Sequence, residues 1–260
     1  MKANIKFITL SIITALSAFN ANAFPSGTGN TVNQSFSKAK KIMQHDIYTT
    51  PLLMKTLYCH ADFNARKQIT LPSGFVNDVW KKRAHRWEAE HITPAESFGR
   101  TFSEWRDGSP ECVSSNGKHY KGRRCANKAS AEYRYMQSDL WNLAPAIGSV
   151  NAAHSNYRWS MLPDVKSRFG SCDFRYDRKD RRAQPPVDSR GIIGRTELYM
   201  AYAYPRYKLS SAQRKLFEAW NKQVPVNQWE CTRAYKIYHI QGNKNPFVMN
   251  QCQSLGLFHS

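Results

Sequence analysis

Residues 86–96 read Arg86-Trp87-Glu88-Ala89-Glu90-His91-Ile92-Thr93-Pro94-Ala95-Glu96, and this stretch decides how the rest of the chain is interpreted. It places two carboxylates and an imidazole within four residues, with a proline soon after. Neighbouring side chains of a β-strand face opposite sides, so Glu90 and His91 can share one site only where a strand ends. Pro94 indicates that the strand ends there. Glu88, Glu90 and His91 are therefore the first candidates for a functional site.

The end of the same stretch has the pattern of a helix N-terminus. Thr93 can act as the N-cap, Pro94 suits the first helical position, and Glu96 can close a capping box. Gly99 then predicts the end of a short helix. Glu96 is interpreted as a capping residue, with a catalytic role as the alternative.

The charge of the chain indicates a polyanionic partner. The 260 residues contain 38 Lys and Arg against 19 Asp and Glu, a net charge of +19. Nucleic acid, an acidic polysaccharide or an anionic membrane surface would suit such a chain. The alternative is a basic surface that only aids solubility, because charge alone does not identify a ligand.

The N-terminus predicts export from the cytoplasm. Residues 1–23 have the pattern of a secretory signal peptide, with Lys2 and Lys6, an apolar run and an A-x-A site that predicts cleavage after Ala23. We expect one domain over residues 24–260, with 24–34 flexible, located in the periplasm or secreted. No later stretch is apolar enough for a membrane span, so no membrane partner is expected.

The cysteines fit an oxidising compartment. There are six, an even number, all beyond the signal and none in a CxxC pair. A Cys112–Cys125 disulfide is predicted, because the Gly, Ser and Asn between them form a loop that a short bridge could close. The other pairings stay open, and a zinc site is the competing interpretation.

The coarse pattern predicts an α+β fold, with strands early and helices late. Strands are expected over 67–71 and 75–86. A first helix is predicted to start at Ser35 or Ser37, and a helix capped by Ser130 is predicted to run to Leu143, ending before Pro145. Later caps are predicted at the polar residues Asp188, Ser210, Asn227 and Asn245. The basic cluster over 175–182 is interpreted as a solvated face rather than a dedicated site.

Several segments together resemble the endonuclease I family of secreted and periplasmic bacterial nucleases. Residues 88–95 resemble its WEHVVPA segment, residues 139–151 resemble DxHNLxPxxGxxN, and Arg190-Gly191-Ile192-Ile193-Gly194-Arg195-Thr196 is similar to RGxIAR. Residues 217–222, 227–231 and 241–248 resemble the C-terminal pattern of the family. The segments occur in the order of the family and span residues 35–253.

The resemblance implies a ββα-metal (His-Me finger) nuclease core with additional helices and disulfide bonds. It implies His91 as the general base, Glu90 and Asn142 as ligands of one Mg²⁺, and Arg123 or Arg124 as the group that stabilises the phosphate. Mn²⁺ or Ca²⁺ is expected to be able to replace Mg²⁺ in binding. Such a hard ion keeps several waters, so two protein ligands suffice.

Further candidates surround this set. Glu88 and Trp141 are expected to support the ligands, Arg190 and Arg195 to grip phosphates, and His119 and His154 are possible additional ligands. The sequence departs from the family pattern in two places: Ala89 precedes Glu90 where the family has tryptophan, and Trp141 replaces a histidine before Asn142. Both changes put supporting hydrogen bonds in doubt.

The expected function is a monomeric, Mg²⁺-dependent endonuclease that cleaves DNA without sequence specificity and leaves 5′-phosphates. Whether RNA is also a substrate is left open. The alternative is a catalytically silent protein that binds extracellular DNA or acidic polysaccharide, and the Trp141 change is the feature that points to it.

Overall fold

The computed structural model describes residues 29–257. Its N-terminal part contains short elements: α1 (Phe36–Ile42, continued by a π turn, Met43–Ile47), β1 (Asp62–Phe63), β2 (Ile69–Thr70), β3 (Trp87–His91), α2 (Ala95–Gly99), α3 (Ser103–Arg106), α4 (Arg123–Ala129) and α5 (Ala131–Gln137). Three single 3₁₀ turns occur at Lys81–Arg83, Leu140–Asn142 and Val187–Ser189. The predicted signal peptide lies outside the described residues.

The C-terminal part becomes helical after one more strand pair. It contains β4 (Leu143–Ile147), α6 (Gly148–His154), β5 (Arg158–Trp159), β6 (Arg175–Asp177), β7 (Arg182–Gln184), α7 (Arg190–Ala203), α8 (Ser211–Gln223), α9 (Gln228–Gln241) and α10 (Pro246–Ser254). The strands form three small sheets, β1–β2, β3–β4 and β5–β7–β6. The α+β prediction is confirmed. None of the described helices is both long and apolar enough to cross a membrane.

The centre of the fold is the antiparallel pair β3–β4 and the helix that follows it. Glu90 lies opposite Ala144 and His91 opposite Leu143, so both candidate residues sit at the end of β3. Gly148 begins α6 immediately after β4. A Cβ at Gly148 would lie 2.4 Å from the Arg83 carbonyl oxygen and 2.8 Å from a Glu88 carboxylate oxygen. The missing side chain therefore lets α6 start directly against β3.

The helices pack around this unit through two buried hydrophobic clusters. One contains Trp87, Trp141 and Tyr199, and the other contains Trp159, Phe174 and Trp220. Burial of large aromatic side chains supplies much of the favourable free energy of folding.

The described residues form three disulfides: Cys59–Cys172 joins positions 113 residues apart, whereas Cys112–Cys125 and Cys231–Cys252 close loops with separations of 13 and 21 residues. The predicted Cys112–Cys125 bridge is present, and the zinc interpretation is wrong because every described cysteine is paired. In the chain-entropy model, closing such loops stabilises the fold by about 3 kcal/mol or more per bridge.

Local capping signals predict most helix starts correctly. Ser35, Ser130, Ser210, Asn227 and Asn245 each accept a backbone hydrogen bond at the start of the expected helix, and Ser210 forms a full capping box with Gln213. The first helix therefore uses Ser35 rather than Ser37. Residues 29–34, part of the segment expected to be flexible, are anchored: Asn30 N donates to Tyr204 Oη at 2.9 Å.

Other local predictions are wrong where tertiary pairing decides the structure. Residues 75–86 form no strand; the strand is Trp87–His91, which follows them. The helix capped by Ser130 ends at Gln137, and Pro145 lies inside β4 opposite Ala89. Asp188 belongs to a 3₁₀ turn, and α7 begins without a side-chain cap.

Of the two arginines of α7, Arg195 has a structural role, contrary to the prediction that it grips phosphates, whereas Arg190 Nε has no hydrogen-bond partner within residues 29–257. Arg195 is fully buried and forms a bidentate pair with Glu230, at 2.8 Å and 2.6 Å, while also donating to the Val224 carbonyl. Arg190 is 8% exposed and lies 6.0 Å from the Trp220 ring centroid. The Arg195 guanidinium is not presented on the surface, because α7 is the buried helix that the other helices cover.

Arg195→Met should destabilise the fold by about 3–5 kcal/mol, because it leaves the buried Glu230 carboxylate without its cation. The measurement is urea unfolding, with Arg214→Met as the matched control. Arg214 is exposed and lies 4.0 Å from Glu218, a surface pair for which about 0.5 kcal/mol is expected. Wild-type stability in Arg195→Met, together with weaker binding of DNA, would contradict the structural role.

Candidate active site

One pocket brings the candidate residues together at the end of β3. It has a volume of about 300 Å³ and lies between the β3–β4 pair, α2, α6 and the starts of α1 and α4. Its lining is mostly polar and comprises Phe36, Ala89, Glu90, His91, Pro94, Ala95, Glu96, Trp105, Arg123, Asn151, Ser155 and Asn156. We refer to it as the catalytic pocket.

Glu90 is held by two side chains that contact the same carboxylate oxygen. The Tyr58 hydroxyl donates to Oε1 at 2.6 Å, and His154 Nδ1 contacts Oε1 as well. His154 is fully buried and stacks on Trp159, with the ring centroids 4.0 Å apart. Oε2 has no hydrogen-bond partner among residues 29–257. The carboxylate is therefore fixed through one oxygen while the other remains available.

His91 is oriented by a backbone carbonyl. Its Nε2 lies 2.8 Å from the Gln137 oxygen, which can only accept, so Nε2 carries the proton and Nδ1 has a free lone pair. Burial of the ring and the positive charge of Arg123 lower the pKa of His91 to about 3, although the bond to Gln137 opposes this shift. The imidazole is consequently neutral at neutral pH and able to accept a proton.

Asn151 lies on α6 and is oriented by Glu88. Its Nδ2 donates to Glu88 Oε2 at 2.8 Å, and Arg83 pairs with the same carboxylate, its Nε donating to Oε1 at 2.8 Å. The amide nitrogen thus faces Glu88, and the amide oxygen has no partner among the described residues. Glu88 itself does not line the pocket, and its link to the pocket is the hydrogen bond from Asn151.

Asn142 is not available for the role that the resemblance implied. It is fully buried at the start of β4, its Oδ1 accepts from Thr93 N at 2.7 Å, and its Nδ2 donates to Thr93 O at 3.0 Å. Both ends of the amide are therefore committed to the backbone that follows His91. The residue braces the end of β3 and does not line the catalytic pocket.

Among the remaining candidates, Arg123 and Arg124 occupy different positions relative to the pocket. Arg123 lines the catalytic pocket, whereas Arg124 points to a neighbouring groove and stacks over the Tyr120 ring at 4.1 Å. Trp141 is fully buried in the core and supports no pocket residue; its indole N–H donates to Asn243 O at 3.3 Å. His119 is exposed in the 103–122 loop region.

Glu96 lines the pocket and is not part of a capping box. Its carboxylate accepts from Arg100 Nε at 2.7 Å and from the Asn156 amide, and Arg181 lies 3.7 Å away. Helix α2 begins after Pro94 without a side-chain cap, because Thr93 is buried and its backbone is bound by Asn142. The capping prediction is therefore wrong.

The donor set of the pocket fits a hard divalent cation. Glu90 and Asn151 offer one carboxylate and one amide oxygen, the ligand types that Mg²⁺, Mn²⁺ and Ca²⁺ accept. Within residues 29–257, no cluster of three or more His, Cys, Asp or Glu could enclose a metal. An ion here would keep several waters, which is typical of Mg²⁺ sites.

Sequence reasoning missed three residues of this site: Asn151, Tyr58 and His154 as a partner of Glu90. Asn151 is the last residue of the quoted segment 139–151, and it is this asparagine of the segment, not Asn142, that lines the pocket. Tyr58 lies 32 positions from Glu90, and no local pattern links them.

Comparisons with known proteins identify the family that this chain resembles. The family model for endonuclease I matches residues 28–252. An extracellular deoxyribonuclease of Aeromonas hydrophila is 36% identical over 225 residues, covering 85% of this chain and 90% of the relative. A periplasmic deoxyribonuclease of the same organism is 38% identical over 203 residues, covering 76% and 79%. An endonuclease-1 of Buchnera aphidicola is 32% identical over 257 residues, covering 96% and 95%.

The family model spans most of the chain, and these three relatives cover between 76% and 96% of it. This chain belongs to the endonuclease I family.

Proposed function

We propose that this protein is a secreted or periplasmic endonuclease that hydrolyses phosphodiester bonds of DNA without sequence specificity. The observation that carries the proposal is the meeting of Glu90, a neutral His91, Asn151 and Arg123 in one pocket. The named relatives are deoxyribonucleases and endonucleases found outside the cell or in the periplasm. The excess of 38 basic over 19 acidic residues favours a polyanionic substrate.

The two strands and the helix that build the pocket support a ββα-metal core. In this proposal β3 carries Glu90 and His91, β4 pairs with it, and α6 supplies Asn151. Endonuclease I nucleases generally depend on a divalent metal. Glu90 Oε2 and Asn151 Oδ1 would hold one such ion, for which we propose Mg²⁺. When bound, it would supply positive charge to the phosphate and leaving oxygens.

His91 acts as the general base. Its Nδ1 lone pair accepts a proton from a water molecule, which attacks the phosphorus, while the bond from Nε2 to Gln137 O keeps the ring in the required tautomer. Arg123 provides a fixed positive charge beside the phosphate as negative charge develops on it. The bond between phosphorus and the 3′-oxygen breaks, the 3′-oxygen takes a proton from solvent to become a hydroxyl, and the other fragment keeps a 5′-phosphate, which is the product we propose. The chain is proposed to act as a monomer.

His91→Ala should lower plasmid nicking by about 10²–10⁴-fold, because the proton acceptor is removed. EDTA should abolish the nicking activity of the wild-type protein. His239→Ala is the matched control, since His239 is exposed on α9 and does not line the catalytic pocket. DNA that is bound in a gel shift but never cut, with any divalent ion, would contradict the enzyme and favour a DNA-binding protein.

Asn151→Ala should weaken Mn²⁺ binding at least tenfold while leaving the melting temperature close to that of the wild type, because a ligand is lost from the pocket surface. Asn142→Ala should instead lower the melting temperature and leave the intrinsic Mn²⁺ affinity unchanged. It leaves two buried backbone groups of Thr93 without partners, which costs about 1–3 kcal/mol each. The measurements are calorimetric Mn²⁺ titration and differential scanning calorimetry. Loss of Mn²⁺ binding in Asn142→Ala alone, at unchanged stability, would restore Asn142 as the ligand.

Tyr58→Phe should weaken Mn²⁺ binding by about 10–100-fold, the effect typical of partners that orient a metal ligand. The hydroxyl that fixes Glu90 Oε1 is the only group removed. Tyr176→Phe is the control, because the buried Tyr176 hydroxyl has no hydrogen-bond partner in residues 29–257. Equal Mn²⁺ affinities of the two variants in a calorimetric titration would show that Tyr58 does not position Glu90.

A further inference from the structure

The catalytic pocket continues on one side into a larger open groove. We name it the arginine groove; it has a volume of about 800 Å³ and is lined by Gln34, Ser35, Phe36, Ser37, Arg123, Arg124, Asn127, Arg134 and Gln137. The two cavities share Phe36 and Arg123. A DNA strand bound in the groove would therefore enter the catalytic pocket past Arg123, the side chain that we place beside the phosphate.

A second cavity opens on another side of the catalytic pocket. We name it the Glu96 pocket; it measures about 480 Å³ and is lined by Glu96, Ser97, Arg100, Asn156, Arg158, Asp180 and Arg181. It shares Glu96 and Asn156 with the catalytic pocket. A polymer cleaved internally needs room on both sides of the reacting bond, and these two cavities provide it.

The two sides differ in charge. The arginine groove has three arginines and, among the described residues, no carboxylate in its lining. The Glu96 pocket also has three arginines, but Glu96 and Asp180 lie among them. There Arg100 and Arg181 both approach Glu96, so part of their charge is already neutralised within the protein. The lining residues carry a net charge of +3 in the arginine groove and of 3 − 2 = +1 in the Glu96 pocket, so most of the uncompensated positive charge lies on the side of the arginine groove.

The guanidinium groups of the arginine groove are held in place by neutral partners. Arg124 stacks over the Tyr120 ring at 4.1 Å. Arg134 Nε donates to Gln34 Oε1 at 2.8 Å, and its Nη1 donates to the Lys128 carbonyl at 3.0 Å. These contacts orient the side chains without cancelling their charge. Oriented arginines that lack an acidic partner suit phosphate oxygens, which a guanidinium binds in bidentate fashion.

We infer that the arginine groove binds the backbone phosphates of the DNA strand on one side of the cleaved bond, and that the Glu96 pocket holds the other side more weakly. The inference rests on the proposed nuclease function. It makes binding one-sided: the enzyme needs several nucleotides on the groove side of the cleaved bond and few on the other. Contacts to phosphates carry no sequence information, so the groove supplies affinity rather than base preference.

The first test measures phosphate contacts through salt dependence. Binding of a fluorescent DNA duplex is followed by anisotropy in the His91→Ala background, where cleavage is expected to be slower by about 10²–10⁴-fold, with and without Arg124→Gln. Loss of one phosphate contact should reduce the slope of log affinity against log salt concentration by about one. Lys222→Gln removes the same charge from the exposed face of α8 and should leave the slope unchanged. Equal slopes with and without Arg124→Gln would overturn the inference.

The second test measures the one-sidedness directly. Oligonucleotides labelled at the 5′ end or at the 3′ end are digested by the wild-type protein, and the shortest remnant at each end is measured on a sequencing gel. We expect a longer uncut remnant at one end, and we expect Arg124→Gln to shorten that remnant. Remnants of equal length at both ends would overturn the inference.

The two tests also separate this inference from the proposed function. Cleavage by the wild type with equal remnants and equal salt slopes would reject the groove while supporting the nuclease. Failure of the wild type to cut DNA with any divalent ion would reject the nuclease, and the salt slopes would still decide whether the arginine groove binds phosphates.

Discussion

The contact between Gly148 and β3 is the constraint on which the site depends. A side chain at this position would collide with the Arg83 carbonyl and with Glu88, so only glycine allows α6 to begin where β4 ends. One turn later the helix places Asn151 within hydrogen-bond reach of Glu88. The Asn151 amide nitrogen donates to the Glu88 carboxylate, so the Asn151 amide oxygen faces away from Glu88. The pairing of β3 with β4 fixes Glu90 and His91 at the same end. The pocket thus follows from a single close approach between a strand and a helix.

Arginine has two separate roles in this protein, and burial distinguishes them. Arg195 and Arg233 are buried and satisfied by acceptors inside the protein, Glu230 for the first and the Tyr48 hydroxyl and backbone carbonyls for the second. Arg123 and Arg124 are exposed beside the pocket and face aromatic rings rather than carboxylates. A net charge counted from the sequence includes both groups, although only the exposed arginines can attract a polyanion. The location of the exposed arginines is therefore better evidence about the substrate than the net charge of the chain.

Features set by adjacent residues could be predicted from the sequence, and features set by distant partners could not. Ser210 and Asn227 cap the helices that their own neighbours begin, and this chemistry is local. Pro145 illustrates the other case, because it lies inside β4 only through pairing with Ala89, 56 positions away. The motif around Asn142 predicts a metal ligand. The two bonds of Asn142 to Thr93, across 49 positions, became visible only in three dimensions. Glu90 and His91 could be named from sequence because they lie side by side at a strand end.

The position of Trp141 bears on whether this protein retains catalytic activity. A tryptophan at a position where the family has histidine was the feature that pointed to a silent binding protein. Trp141 is fully buried, packs near Tyr199 and donates its indole N–H to Asn243, all within the core. It touches none of the groups that orient Glu90, His91 or Asn151. Tyr58 and His154 hold Glu90, and Glu88 holds Asn151, so the contacts that support the pocket do not involve Trp141.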